Sequence, residues 1–187
     1  MPRSFVARAL PIAAAAFATL AACAAHAAPI TADGAWNSFD VDPLSASSAG
    51  FEWIALDGSA LSFDITLAGP AQLKVIDGGF AGDRFEVFDN GVSLGLTSAS
   101  ANSYPASVGL DFGAAWADVA YSRGIFALSA GLHSITGVLV DSAVDDTGMR
   151  FDATVGALSI SPVPEPTTPA LMLAGLAGLA LIARRRA

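Results

Sequence analysis

A chain of 187 residues that is 53% hydrophobic yet carries 17 acidic against 9 basic residues suits one modest domain. Its formal net charge of -8 repels phosphate backbones and so argues against nucleic acid as a partner. A single cysteine leaves no disulfide framework and no zinc–thiolate site to propose. The charge is also unevenly spread. Arg3, Arg8, Arg184, Arg185 and Arg186 lie in the terminal segments, whereas every acidic residue except Glu165 falls between Ala28 and Ser161, opposed only by Lys74, Arg84, Arg123 and Arg150.

The N terminus opens with Arg3 and Arg8, continues through the apolar run from Ala9 to Ala22, and reaches Ala25-His26-Ala27. A positive start, a run of this length and an A-x-A pattern are what signal peptidase reads, so residues 1–27 are expected to be a signal peptide, cleaved before Ala28. The stretch Leu20-Ala21-Ala22-Cys23 resembles the lipobox of bacterial lipoproteins, which would make Cys23 a lipidation site instead. Under either cut the exported body contains no thiol available for bonding.

From Ala28 to Ser161 short alternating runs are separated by Gly, Asp, Asn and Ser, which predicts an all-β antiparallel sandwich of jelly-roll or CUB-like type. Expected strands are Trp36 to Val41, Glu52 to Leu56, Ala60 to Leu67, Ala71 to Ile76, Arg84 to Asp89, Val92 to Thr97, Ile125 to Ser129, His133 to Val140 and Arg150 to Ile160. Asn90-Gly91 predicts a type I′ hairpin, because both residues tolerate positive φ. A two-residue turn would set Asp89 opposite Val92, Val87 opposite Leu94 and Phe85 opposite Leu96. Residues 98–124 lack alternation and are read as a long crossover with one helical turn.

Two kinds of residue in this body bear on binding. Asp77, Asp83 and Asp89, with Asp141, Asp145 and Asp146, put hard oxygen ligands into loops where calcium is the only cofactor worth weighing. Turns select aspartate for its own backbone bonds as well, so the same residues serve a purely structural reading. Of the aromatic residues, Trp36 and Trp53 fall in strands and are expected in the core. Trp116 and Tyr121, in the crossover, are the candidate sugar contacts. His133 lies in an alternating strand and reads as structural, and no nucleophile elbow, zinc-protease helix or phosphate loop is present. The body is therefore not expected to be an enzyme.

The chain closes on Pro162-Val163-Pro164-Glu165-Pro166, where prolines block helix, then an apolar run to Ala183, then Arg184, Arg185 and Arg186. About 17 apolar residues make roughly 25 Å of helix, the short end of a membrane span. The three arginines would act as its positive-inside stop. Val163-Pro164-Glu165-Pro166, a short hydrophobic helix and a terminal arginine cluster together resemble the PEP-CTERM sorting signal of certain Gram-negative bacteria. That resemblance implies a membrane enzyme of the exosortase type as partner, recognising Pro164, Glu165 and Pro166 and passing the protein to the cell surface or extracellular matrix. The segments GDRFEVFDNGVSLG and GLHSITGVLVD resemble, more loosely, CUB-like sandwich modules without their disulfides. In those modules, acidic residues at a strand opening and in neighbouring loops hold calcium.

The expected organisation is thus a signal peptide at 1–27, an exported domain at 28–161 and a sorting tail with one transmembrane helix at 162–187. The expected function is that of a structural or adhesive surface protein within exopolysaccharide, the alternative being a calcium-assisted carbohydrate-binding module.

Overall fold

The computed structural model describes residues 26–164 and five positions of the tail, 172, 173, 175, 176 and 184. Cys23, the apolar run of the signal segment, Glu165, Pro166, Arg185, Arg186 and most of the expected transmembrane helix lie outside the described residues. Among the described residues no helix is long and apolar enough to cross a membrane.

In chain order the elements are β1 (His26–Pro29), β2 (Asn37–Val41), β3 (Leu61–Leu67), β4 (Ala71–Asp77), β5 (Gly79–Phe80), β6 (Arg84–Asp89), β7 (Val92–Leu96), β8 (Ser107–Gly109), α1 (Phe112–Ala117), β9 (Arg123–Leu128), β10 (Gly131–Asp141) and β11 (Thr154–Pro162). They form a five-stranded sheet, β1-β3-β10-β6-β7, a four-stranded sheet, β2-β11-β4-β9, and a small β5-β8 pair. The two large sheets share one apolar core, so the body is a β-sandwich. Neighbouring strands are antiparallel except β1, which runs parallel to β3, His26 beside Leu61. A wholly antiparallel sandwich is therefore corrected at that edge. β1 leads into β2 of the opposite sheet, and no hairpin ties it to its neighbour. It also begins two residues ahead of the expected cleavage point.

Alternation puts the apolar rows inside. Leu61, Phe63, Ile65 and Leu67 of β3 face Leu73 and Val75 of β4 and Leu158 and Ile160 of β11 across the core, while Ser62, Asp64, Gln72 and Lys74 point away. At its centre Trp53 is fully buried, stacked on Phe39 at 3.9 Å and edge-on to Phe63 and Phe85. Gly137 of β10 exists for this ring: a β-carbon there would lie 2.3 Å from Trp53 Cε2.

Three differences from expectation bear on the packing. Glu52 to Leu56 is not a strand but a set of isolated bridges. Phe51 and Trp53 bond to Leu139 and Gly137 of β10, and Ile54 exchanges bonds with Asp40 of β2, so this segment ties the two sheets together at one end. In the β6–β7 hairpin Asn90 and Gly91 take positive φ and Asp89 opposes Val92, as the turn requires. Beyond that the register shifts: Val87 meets Gly95 and Glu86 meets Leu96. The bulge at Leu94 rests on Gly95 at φ 118°, a conformation open to glycine, and it turns Leu96 out to solvent instead of pairing it with Phe85. Finally β11 starts at Thr154, because Asp152 at φ 56° breaks the extended run that Arg150 was expected to open.

The crossover does contain its helical turn. Asp111 caps α1 by accepting from Ala114 N at 2.9 Å. The short helix lies on the outer face of the four-stranded sheet, where Phe112, Ala115 and Tyr121 form a second core with Ile76 and Ala157. Beyond it on the same face, Ile125 and Ala127 of β9 are exposed and Gln72, Lys74 and Ser161 are half-buried.

Candidate functional site

The six candidate aspartates do not converge. Asp89, at the end of β6, meets His133 Nδ1 at 2.7 Å, while His133 Nε2 meets Ser129 O at 3.0 Å. His133 is buried and holds β10 to β6 and to the preceding turn, a structural role. Asp141 pairs with Arg84 at 3.8 Å on the surface. Asp145 folds its carboxylate onto Thr147 N, Thr147 Oγ1 and Met149 N, the self-contained turn that aspartate favours, and those bonds hold its carboxyl below the usual range. Asp146 is exposed beside it. Among the described residues no three acidic, histidine or cysteine side chains gather as a metal would need.

Asp77 and Asp83 do come together, and both are buried, at 0% and 2% exposure. Asp77 closes β4 and Asp83 precedes β6, and the turn between them brings the two carboxyls close enough for the Asp83 charge to act on Asp77. Gly82 permits this with φ 141° and with its α-carbon against Ala143, where a β-carbon would sit 2.8 Å from Ala143 Cα. Asp83 is well served: Oδ1 accepts from Ala143 N at 2.8 Å and Oδ2 accepts from Thr154 Oγ1 at 2.5 Å, with the Ser142 hydroxyl close by. Asp77 Oδ2 takes only long bonds from Gly82 N and Asp83 N, 3.3 Å each, and Oδ1 is buried with no partner among the described residues.

Burial, and then the Asp83 charge, push the Asp77 carboxyl up to about 9. Burial also raises Asp83, against the bonds from Thr154, Ala143 and Ser142. At neutral pH Asp77 therefore keeps its proton. Two carboxyls, one of them with an unused oxygen, and two hydroxyls are also the donor chemistry of a hard cation. Ser142, just after β10, and Thr154, opening β11, are distant in sequence with no spacing pattern, and nothing in the sequence could have found them.

The aromatic candidates separate. Tyr121 is 3% exposed, and its hydroxyl donates to Gly79 O at 3.0 Å and accepts from Val108 N at 3.1 Å. It is a strut beneath the crossover and not a surface contact, which corrects the expectation. Trp116 remains half-exposed at the rim of α1, tilted against Trp36 at 5.7 Å, with Lys74 Nζ 5.2 Å and Arg123 Cζ 5.6 Å from its centre. Phe80, Tyr104 and Phe151 form a separate aromatic group, with ring centres 5.1 to 5.3 Å apart, that pins β5 to the crossover and to the loop before β11.

No curated protein matches the chain. Among solved structures it is similar to the pre-peptidase C-terminal domain of a collagenase from Bacillus anthracis, at 11% identity over 73% of this chain and 95% of that one, with a TM-score of 0.36. At the C-terminal end of β11 the sandwich gives way to Val163 and Pro164, where Val163 N still bonds to Pro70 O at 3.0 Å. The tail that starts there has a match of its own: residues 162–187 fit the family described as the PEP-CTERM protein-sorting motif. Residues 162–187 thus form a PEP-CTERM sorting motif, which indicates export and exosortase-type sorting.

Proposed function

We propose that the sandwich is a non-enzymatic structural or adhesive component of the cell surface, lodged in exopolysaccharide after the tail has been processed. The sorting motif carries this reading, because it directs a β-sandwich that needs no disulfide to the outside of the cell. The titratable side chains support it. Asp77 and Asp83 are sealed in the interior, Asp89 and His133 bond to each other, and Asp141 is paired on the surface, so each of these candidate residues has a structural use. In the native host the protein should copurify with isolated matrix polysaccharide and be released when that polysaccharide is depolymerised. Recovery entirely in a polysaccharide-free membrane fraction would contradict the reading.

A second reading, calcium-assisted carbohydrate binding, is favoured by one observation, the unpartnered Asp77 oxygen against Asp83. In it calcium takes the place of the Asp77 proton and is held by Asp77, Asp83 and the Ser142 and Thr154 hydroxyls. Its test is the calcium dependence of unfolding described in the Discussion.

A further inference from the structure

We propose that the open part of the outer face of the four-stranded sheet binds acidic polysaccharide, with Lys74 and Arg123 contacting its carboxylates and Trp116 positioning both cations. The proposal rests on the matrix reading above and names the ligand class for it.

Charge pairing is the first observation. Between Ala28 and Ser161 there are four cations amid nearly all of the chain's acids. Arg84 is paired with Asp141 and Arg150 with Asp152. Lys74 and Arg123 have no carboxylate within salt-bridge distance among the described residues. Arg123 instead donates to the Trp116 carbonyl at 2.7 Å and to the Asp118 carbonyl, which fixes the guanidinium without neutralising it. Lys74 has only the indole. Two like charges are thus held against one ring, and an anion that meets both relieves their repulsion.

Strand register supplies the second. Lys74 lies between Ser159 of β11 and Ile125 of β9, and Gln72 between Ser161 and Ala127. None of these six residues is acidic. Ser159 is buried but the other five are at least partly exposed, so in a domain this rich in aspartate this part of the sheet is an acid-free strip with both unpaired cations in or beside it. Ile125 is 56% exposed and adds an apolar surface, while Gln72 supplies an amide.

A uronic-acid unit has the complementary chemistry: an apolar ring face for Ile125 and the edge of Trp116, hydroxyls for Gln72, and a carboxylate for Lys74 and Arg123. Neutral glycans lack the last of these. The acidic remainder of the surface repels a polyanion, so binding has to be local to this strip and to weaken as salt screens it.

The test is binding of the full chain, in detergent, to alginate and to neutral dextran at low and physiological salt. Alginate should bind and dextran should not. Lys74→Gln should lower the alginate affinity by about tenfold or more, as loss of a charged hydrogen bond does, and Lys74→Arg should keep it. These variants share the arginines at 184 to 186, so the difference among them reports the strip and not the tail, and unchanged melting temperatures confirm that they fold. Equal affinity for dextran, equal affinity for single-stranded DNA, or indifference to Lys74→Gln would overturn the proposal. A chain that resides in the matrix but ignores Lys74→Gln sinks the site alone. One that binds alginate through Lys74 yet never reaches the matrix sinks the matrix reading alone.

Discussion

Replacing Trp53 by alanine is expected to lower the unfolding free energy by about 3–5 kcal/mol, a large fraction of what holds a domain of this size together. The ring is at 0% exposure, stacks on Phe39, and meets Phe63 and Phe85 edge-on, so its removal leaves a cavity walled by both sheets. Its backbone compounds the effect. Trp53 N donates to Gly137 O at 2.9 Å and Trp53 O accepts from Leu61 N at 2.8 Å, so the segment that ties the sheets together is centred on this residue. With no disulfide to limit the unfolded chain, packing has no covalent support to fall back on. Urea unfolding followed by circular dichroism measures the loss. A cost below 1 kcal/mol would mean that the core does not depend on this ring. Trp53→Phe should cost less, because the indole N–H is buried without an acceptor and contributes nothing that phenylalanine would lose.

Asp77 makes stability depend on pH in an unusual direction. Its carboxyl is raised to about 9 in the folded chain, against an ordinary value of 3.8. The folded state therefore binds more protons than the unfolded state between those limits. The stabilisation is complete below about pH 4 and is lost as pH rises towards 9, at up to about 1.4 kcal/mol per pH unit. In chelator, the wild type should weaken relative to Asp77→Asn with every unit from pH 5 to pH 9, because asparagine has nothing to ionise. A difference that stays constant across that range would contradict the buried, protonated carboxyl. Calcium tests the second reading on the same pair of proteins. If it displaces the proton, millimolar calcium raises the melting temperature of the wild type more at pH 8 than at pH 5, and leaves Asp77→Asn unmoved. Equal shifts in the two proteins would remove calcium from this site.

The strands that alternate cleanly were legible from sequence: β3 with its Leu-Phe-Ile-Leu row, β10 with Ile135 and Leu139, and the turn at Asn90-Gly91. What escaped depends on distant partners. The Leu94 bulge is set by how β7 must twist beside β6, and the 51–55 segment alternates like a strand but is shared between two sheets. Tyr121 sits in a segment without periodicity, where sequence cannot tell a surface ring from a strut whose hydroxyl reaches back to Gly79 and Val108. At the candidate sites the limit is the same. Six aspartates are equal in sequence, and folding buries two of them against each other while leaving the rest in turns and ion pairs. Lys74 and Arg123 are 49 positions apart, and only the β4–β9 pairing brings them to one indole. The tail needed no folding to be read, because its signal is the order of proline motif, apolar run and arginines along the chain.

The central claim, that the sandwich is delivered to the outside and released from its tail, is tested most directly by intact-mass analysis of the protein recovered from membrane, surface and matrix fractions of its host. The predicted result is a matrix or surface form that lacks the signal segment and ends near Pro164, Glu165 and Pro166. A form that still carries Arg184, Arg185 and Arg186 in the inner membrane, with none beyond it, would contradict the account.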